Sequence, residues 1–292
     1  MSETDKAKAD VFTDKPSREI FSKTFTSINQ RQFDNDYIEQ IGRKNKGAQV
    51  STCTFRSTIF VGCYFNGVTF TSCDFTSAKF IDCNLKDAKF VHCKLNYVSF
   101  RRTIVDSSEI LANLPREPNV RRDLLRNLRV DARELGNIED ESIYIRKEIE
   151  ASDDFYMSAF KAREIWYRNK YSGIDRIVFF LSWVKSKFSG LIWGNGEKPI
   201  RVLYSCVFTI IIMAAILYTY GYSKGQFPES EGFYENFAMA LKLSLSEFLG
   251  VPYMVNSFSL KVPFLVSAFA ALARYIFIGL LVSVMFRSFS RR

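Results

Sequence analysis

The chain carries one histidine, His92, in 292 residues. Histidine supplies much of the general acid–base and metal chemistry available near neutral pH, so its scarcity removes most of that repertoire. There is no Gly-x-x-x-x-Gly-Lys-Ser/Thr phosphate loop, no His-Glu-x-x-His and no nucleophile elbow. The glycines at Gly194 and Gly196 read as a turn, not as a nucleotide loop. No enzyme, cofactor or metal centre is expected. The six cysteines include no Cys-x-x-Cys pair, which argues against a zinc or redox motif. The opening "MSETDKAKADVFTDKPSREIF" has no apolar core, so it reads as a polar arm, not as a secretory signal. An excess of acid is also missing, since the net charge is +9.

Positive charge of that size suggests nucleic acid in a soluble protein. Here many of the cations flank apolar segments instead: Lys185, Lys187, Lys198 and Arg201 before one, Arg287, Arg291 and Arg292 after the other. Membrane proteins hold positive charge in this way on the cytoplasmic side. The expected surroundings are therefore a lipid bilayer, with no nucleic-acid partner.

What the chain has in abundance is phenylalanine at a fixed interval. Phe55, Phe60, Phe65, Phe70, Phe75, Phe80, Leu85, Phe90, Leu95 and Phe100 stand five apart. Two residues before each is a small residue: Cys53, Thr58, Cys63, Val68, Cys73, Ala78, Cys83, Ala88, Cys93 and Val98. Val50 and Val105 extend the pattern weakly. Neither a helix nor a strand has a period of five. A coil of square cross-section does, with one unit per side, the large and small residues pointing inward and the rest facing water. Cys53, Cys63, Cys73, Cys83 and Cys93 then fill small inward sites as buried hydrophobes.

This pattern resembles the pentapeptide-repeat family. The resemblance implies a right-handed quadrilateral β-helix with four units per coil, hence two and a half to three coils over 48–106. At the strand spacing of ~4.8 Å such a rod is on the order of 13 Å long. Its caps are expected before Ala48 and after Val105. Some pentapeptide proteins imitate DNA, but Val50–Val105 holds seven Lys/Arg against three Asp, the wrong sign for a mimic.

Two apolar segments follow. Val202–Tyr222 carries no charge and would span about 32 Å as a helix. Tyr218, Tyr220 and Tyr222 crowd one end like an interfacial belt. The second segment runs from about Val262 to Phe286, with Pro263 near its start. The cationic flanks place the N- and C-termini in the cytoplasm and the intervening loop outside. That loop holds Glu229, Glu231 and Glu235, which could concentrate cations or simply be solvated. Phe233–Leu249 reads as a helix with Phe233, Phe237, Leu241, Ser244 and Phe248 along one face, too short and polar for a full span, and suited to a re-entrant position.

Here the chain resembles the two-transmembrane ion-channel family, potassium-channel-like in layout. The run "WGNGEKPIRVL", Trp193–Leu203, is similar to that family's entry into its first membrane helix, and "GLLVSVMFRSFSRR", Gly279–Arg292, to the end of its inner helix. The resemblance implies a homotetramer in the plasma (inner) membrane that passes an inorganic ion. The filter region falls at Ser246, Glu247, Phe248, Leu249 and Gly250, and Gly279 is a candidate inner-helix hinge. Potassium selectivity is not carried over, because only one of the two filter glycines is present in "SEFLGVP".

Arg274 lies near the middle of the second segment, where a charge costs about 2.5–3.5 kcal/mol on an isolated helix. Three readings stay open. It pairs with Glu247, or it lines the cavity and disfavours cations, or it snorkels from a shifted span. Lys242 is read as a wet vestibule residue.

The expected organisation is a polar arm and cap at 1–47, repeats at 48–106, a helical hairpin connector at 107–173, an interfacial helix and linker at 174–200, and a pore-like unit at 201–292. The hairpin would pair Pro118–Leu135 with a long helix over about Ile138–Asn169. The functional expectation is an oligomeric ion channel with a cytosolic repeat domain that gates, senses or scaffolds, with an unknown cytosolic protein as a further partner. The alternative is a non-conducting membrane-anchored interaction module.

Overall fold

The computed structural model describes residues 28–39, 47–162, 164–196, 199–227, 232–251 and 262–290. The polar arm, Glu229, Glu231, Lys198, Pro252, Arg291 and Arg292 lie outside them. The chain divides into two units, Met1–Phe180 and Leu181–Arg292.

The first unit begins with a β-solenoid of about four coils. One side stacks β1 (Ile28–Asn29), β3 (Gln49–Ser51), β5 (Thr69–Thr71) and β8 (Lys89–Val91) in parallel. Another stacks β2 (Tyr37–Glu39), β4 (Ile59–Val61), β6 (Lys79–Ile81) and β9 (Ser99–Arg101). A shorter third side pairs β7 (Asn84–Leu85) with β10 (Ile104–Val105), and bridges along Gln32, Thr54, Asp74 and Lys94 make the fourth. Partners from β3 onward are separated by one coil of twenty residues, as in Val50 with Phe70 and Phe60 with Phe80.

The solenoid starts a coil earlier than the expected boundary at Ala48. Ile28 aligns with Val50 and Ile38 with Phe60, so this first coil is two residues longer than the rest. Ala48 O accepts from Thr69 N–H at 3.0 Å, as Thr58 O accepts from Lys79 N–H, so the regular register has begun by Ala48. The extra residues therefore fall between Glu39 and Ala48. Ile28, Phe33 and Ile38 are spaced by five, but the positions two before the latter pair are Arg31 and Asp36, which are not small. The phase slip and these two side chains hide the coil in the sequence.

All ten large central positions are buried, none more than 5 % exposed. Their rings form columns one coil apart. Phe33, Phe55 and Phe75 stack at 5.1 Å steps, and Phe60, Phe80 and Phe100 at 4.7 and 5.4 Å, with interplanar angles under 10°. Neighbouring columns meet edge-on, as Phe65 meets Phe70 at 81°. Both geometries suit the ring quadrupole.

The turning of each corner has its own backbone signature. From Thr52 to Arg102 every fifth residue is left-handed, with φ between 49 and 67°. Gly62 and Gly67 adopt this freely. Thr52, His92, Tyr97 and Arg102 do so at roughly 1–2 kcal/mol each. The stacked core offsets that cost.

The five cysteines are buried and unpaired by disulfides. Each thiol donates toward a carbonyl on the preceding coil. Cys73 reaches Val50 O at 3.4 Å, Cys83 reaches Phe60 O at 3.5 Å and Cys93 reaches Phe70 O at 3.4 Å. Thr58 and Thr103 donate in the same way to Phe33 O and Phe80 O. The inward small site thus accepts a short donor where one is present, while Val68, Ala78, Ala88 and Val98 fill it by low volume alone. Hydrogen bonding to Cys93, followed by burial, pushes the Cys73 thiol well above the ordinary range, and Cys63 does the same to Cys83. Such thiols stay protonated and poorly nucleophilic.

The C-terminal end of the solenoid is closed by helices α1 (Ser107–Ala112), α2 (Pro118–Glu134) and α3 (Ile138–Lys161). Ile110, Leu124, Leu125, Leu128, Ala132 and Tyr144 join the phenylalanine core. Open strand edges need partners, and here side chains take the place of a further coil. Asn113, twenty residues after Cys93, accepts from Cys93 N–H at 3.1 Å and donates to Phe90 O at 2.7 Å. Asn127 does both for Phe100, at 2.7 and 3.1 Å. Asp131 accepts from Thr103 N–H at 3.3 Å, and its other oxygen is buried with no partner among the described residues. Burial lifts the Asp131 carboxyl above the ordinary aspartate range.

Helices α2 and α3 form the expected hairpin. Gly136, with φ 72°, ends the first helix. Asn137 caps the second by accepting from Asp140 N–H at 3.1 Å. Ion pairs lace the two together: Arg126 and Arg129 both on Glu148, and Arg133 on Glu141 at 2.6 Å. The second helix is shorter than predicted. Ala162 turns left-handed (φ 46°) and a separate α4 covers Ile165–Lys170. A second cluster forms there from Phe155, Ala159 and Tyr167, with Tyr171 and Phe179 against it and Arg122 4.5 Å over the Phe155 ring. Helix α5 (Gly173–Trp193) follows, with no buried residue along its length.

Candidate functional site

The second unit contains α6 (Pro199–Ser223), α7 (Phe233–Leu249) and α8 (Phe264–Ser290). Ile200–Ser223 and Phe264–Phe286 are long and apolar enough to cross a membrane. Only 22 % and 11 % of their most apolar windows are buried within the chain. Leu203, Val207, Phe208 and Ile211 on α6 are exposed, as are Phe264, Leu265, Phe269, Leu272 and Ile276 on α8.

The junction ahead of α6 is fixed by polar contacts. Asn195 is left-handed (φ 55°) in the short 3-10 turn Gly194–Gly196. The Arg201 guanidinium donates to Gly190 O at 2.5 Å and Ser205 to Ile192 O at 2.9 Å. The carbonyls near the end of α5, which lack helical donors, are thereby satisfied by the first turns of α6.

Helix α7 begins at Gly232, whose N–H donates to Glu235 at 3.3 Å, and ends at Gly250, with φ 70° and its N–H on Ser246 O at 2.7 Å. Its limits match the sequence reading, and its packed face matches in part, at Ser244 and Phe248. The buried residues are Asn236, Ala240, Ser244 and Phe248, while Phe233 and Leu241 are exposed. The cause is close packing on α6. Ser244 is fully buried and donates to Ile210 O at 2.8 Å, an approach that the bulk of Leu241 would prevent. Phe233 and Phe237 instead gather with Tyr218 of α6, at 5.3 and 6.0 Å between ring centroids.

The residues named for the filter region sit on the last turn of α7. Phe248 is buried and its ring lies 6.1 Å from that of Phe277 on α8. Ser246 donates to Leu243 O at 2.8 Å, Glu247 is half-buried, and Leu249 and Gly250 are exposed. Arg274 on α8 is half-buried against this same turn. A Cβ added to Gly250 would overlap Arg274 Nη1 and come within 2.9 Å of Cζ. No ion pair joins Arg274 to Glu247 among the described residues. The guanidinium instead rests on the glycine backbone, 5.2 Å from the Tyr275 ring centroid. Gly279 is exposed within α8, with open space where a Cβ would be. Lys242 is exposed on α7. The sequence carried the signals for Gly250 and Arg274 separately, as a helix stop and as a misplaced charge. Their contact joins two helices and has no local signature.

Residues 46–114 match one family model, that of the pentapeptide repeat region. The match and the solenoid together support the repeat domain read from the phenylalanine period. It spans the three regular coils and α1, and begins after the first coil of β1 and β2. No curated protein matches the chain.

Proposed function

We propose that this chain is one subunit of a homo-oligomeric membrane pore, with its repeat domain in the cytoplasm as a gating or docking module. The observation that carries this reading is the second unit's apolar surface. Two span-length helices expose most of their large side chains, and a shorter helix packs on one through the Ser244–Ile210 carbonyl bond and on the other through Phe248 and Phe277. Apolar surface of this extent needs lipid or further copies of the chain to cover it. Two spans cannot enclose a conduit alone, so several copies, four by the channel resemblance, would surround it. Helix α7 would then be re-entrant, α8 would line the path with Gly279 as its hinge, and the flanking cations would hold both termini at the inner face of the plasma membrane. Helix α5 has an apolar stripe through Ile174, Ile177, Leu181, Phe188 and Leu191, all exposed, with Lys185 and Lys187 along its two edges. It suits a helix lying on the inner leaflet.

The full chain in liposomes, loaded with an ion gradient and read by a flux dye, tests the reading, with native mass spectrometry giving the stoichiometry. Flux from a tetramer is expected. A second reading, a non-conducting anchored scaffold, draws on the single glycine of the filter region; a monomeric, flux-free protein would favour it.

A further inference from the structure

We infer that Arg274 faces the ion path and makes it select small monovalent anions, the halide class, over cations; this rests on the pore reading above. The argument begins at the end of α7. The last carbonyls of a helix have no N–H beyond them, and their aligned dipoles amount to about half a negative charge. Left uncovered, that pole would stabilise a cation. In this chain it is covered. Gly250 closes the helix in a left-handed conformation, and the Arg274 guanidinium points its Nη1 end at it, where any side chain at 250 would collide.

A full positive charge against half a negative one reverses the local sign. Nothing described neutralises it further, since no carboxylate forms an ion pair with Arg274. Glu247, one turn earlier, forms none either among the described residues. Arg274 lies midway along the apolar span Phe264–Phe286, where a charge toward lipid is costly. It turns toward α7, while Tyr275, Ile276 and Ile278 take the exposed surface. Guanidinium is weakly hydrated and carries five N–H donors. One such group from each copy around an axis makes a cationic ring, a recurrent way of passing anions. The same glycine that would serve a potassium filter serves here to seat an arginine.

The test is the reversal potential of the full chain in planar bilayers under asymmetric KCl. Wild type should reverse on the chloride side of zero. Arg274→Gln, which keeps donors without charge, should move the reversal at least halfway to zero. Arg274→Lys should keep the wild-type sign, and so should Glu247→Gln. A wild-type reversal on the potassium side, or an unchanged reversal in Arg274→Gln, overturns the inference and leaves the pore. Absence of any current from protein shown to be assembled overturns both. Should Arg274→Gln fail to assemble, the signs of wild type and Arg274→Lys still decide.

Discussion

The two units treat phenylalanine in opposite ways. In the solenoid Phe75 is 0 % exposed, with Phe55 stacked on it from the preceding coil and Phe70 edge-on beside it. In α8 Phe264 is 82 % exposed. The solenoid satisfies its apolar residues within one chain, coil upon coil. The second unit leaves them for something outside the chain. A repeat can close its own core because each coil presents the same surface that the next one needs. A pair of long apolar helices cannot, because each has more perimeter than its two neighbours cover.

The contrast can be tested by substitution, beginning with the largest expected effect. Phe75→Ala should destabilise the solenoid by about 3–5 kcal/mol, as for large aromatic truncations in a core that cannot collapse. Circular dichroism melts of the detergent-solubilised chain would read this. The parallel change Phe264→Ala should move the melting temperature little. An equal loss at both positions would erase the distinction.

Next, Asn113→Leu strips two hydrogen bonds from the last coil and leaves Cys93 N–H and Phe90 O without partners, which should cost about 1–3 kcal/mol. Hydrogen exchange should speed first at the Phe90–Cys93 edge. Protection unchanged there would mean that the helices cover the end by apolar contact alone.

Gly250→Ala in the second unit should cost about 1–2 kcal/mol from the left-handed backbone, and in addition displace Arg274. Crosslinking of cysteines placed at 250 neighbours and on α8 should fall. Retained crosslinking would place the guanidinium elsewhere.

The smallest effect is expected at Asp131. Its folded carboxyl is raised by burial. Below the unfolded value both states are protonated, and as pH rises through the raised folded value the native state loses stability relative to the unfolded one. Asp131→Asn keeps an acceptor for Thr103 N–H and removes the charge. The variant should match wild type in acid and exceed it in stability at neutral pH. A difference independent of pH would remove the buried-charge account.

The legible part of the molecule was the part whose rule is local. Ten residues five apart, each following a small one, specify the coil, because every unit repeats one set of contacts. The first coil escaped notice where that rule was broken by a slip of two residues and by Arg31 and Asp36. The left-handed corners were also missed, since Ser, Thr, Asp, His, Tyr and Arg occupy them and only Gly62 and Gly67 advertise them. In the second unit the helix limits were readable from caps and hydropathy. The packed face of α7 was readable only in part: Ser244 and Phe248 lie on it as the spacing suggests, whereas Phe233 and Leu241 are exposed and Asn236 and Ala240 are buried instead.

By itself the sequence determined a solenoid with a phenylalanine core and two helices suited to lipid, because period and hydropathy act through neighbours along the chain. Only the tertiary structure decided that asparagine and aspartate side chains finish the last coil, that the thiols tie coil to coil, and that Arg274 rests on Gly250. Those contacts join residues 20 to 28 positions apart, or lie on separate helices. Their energies depend on distances that no local pattern encodes.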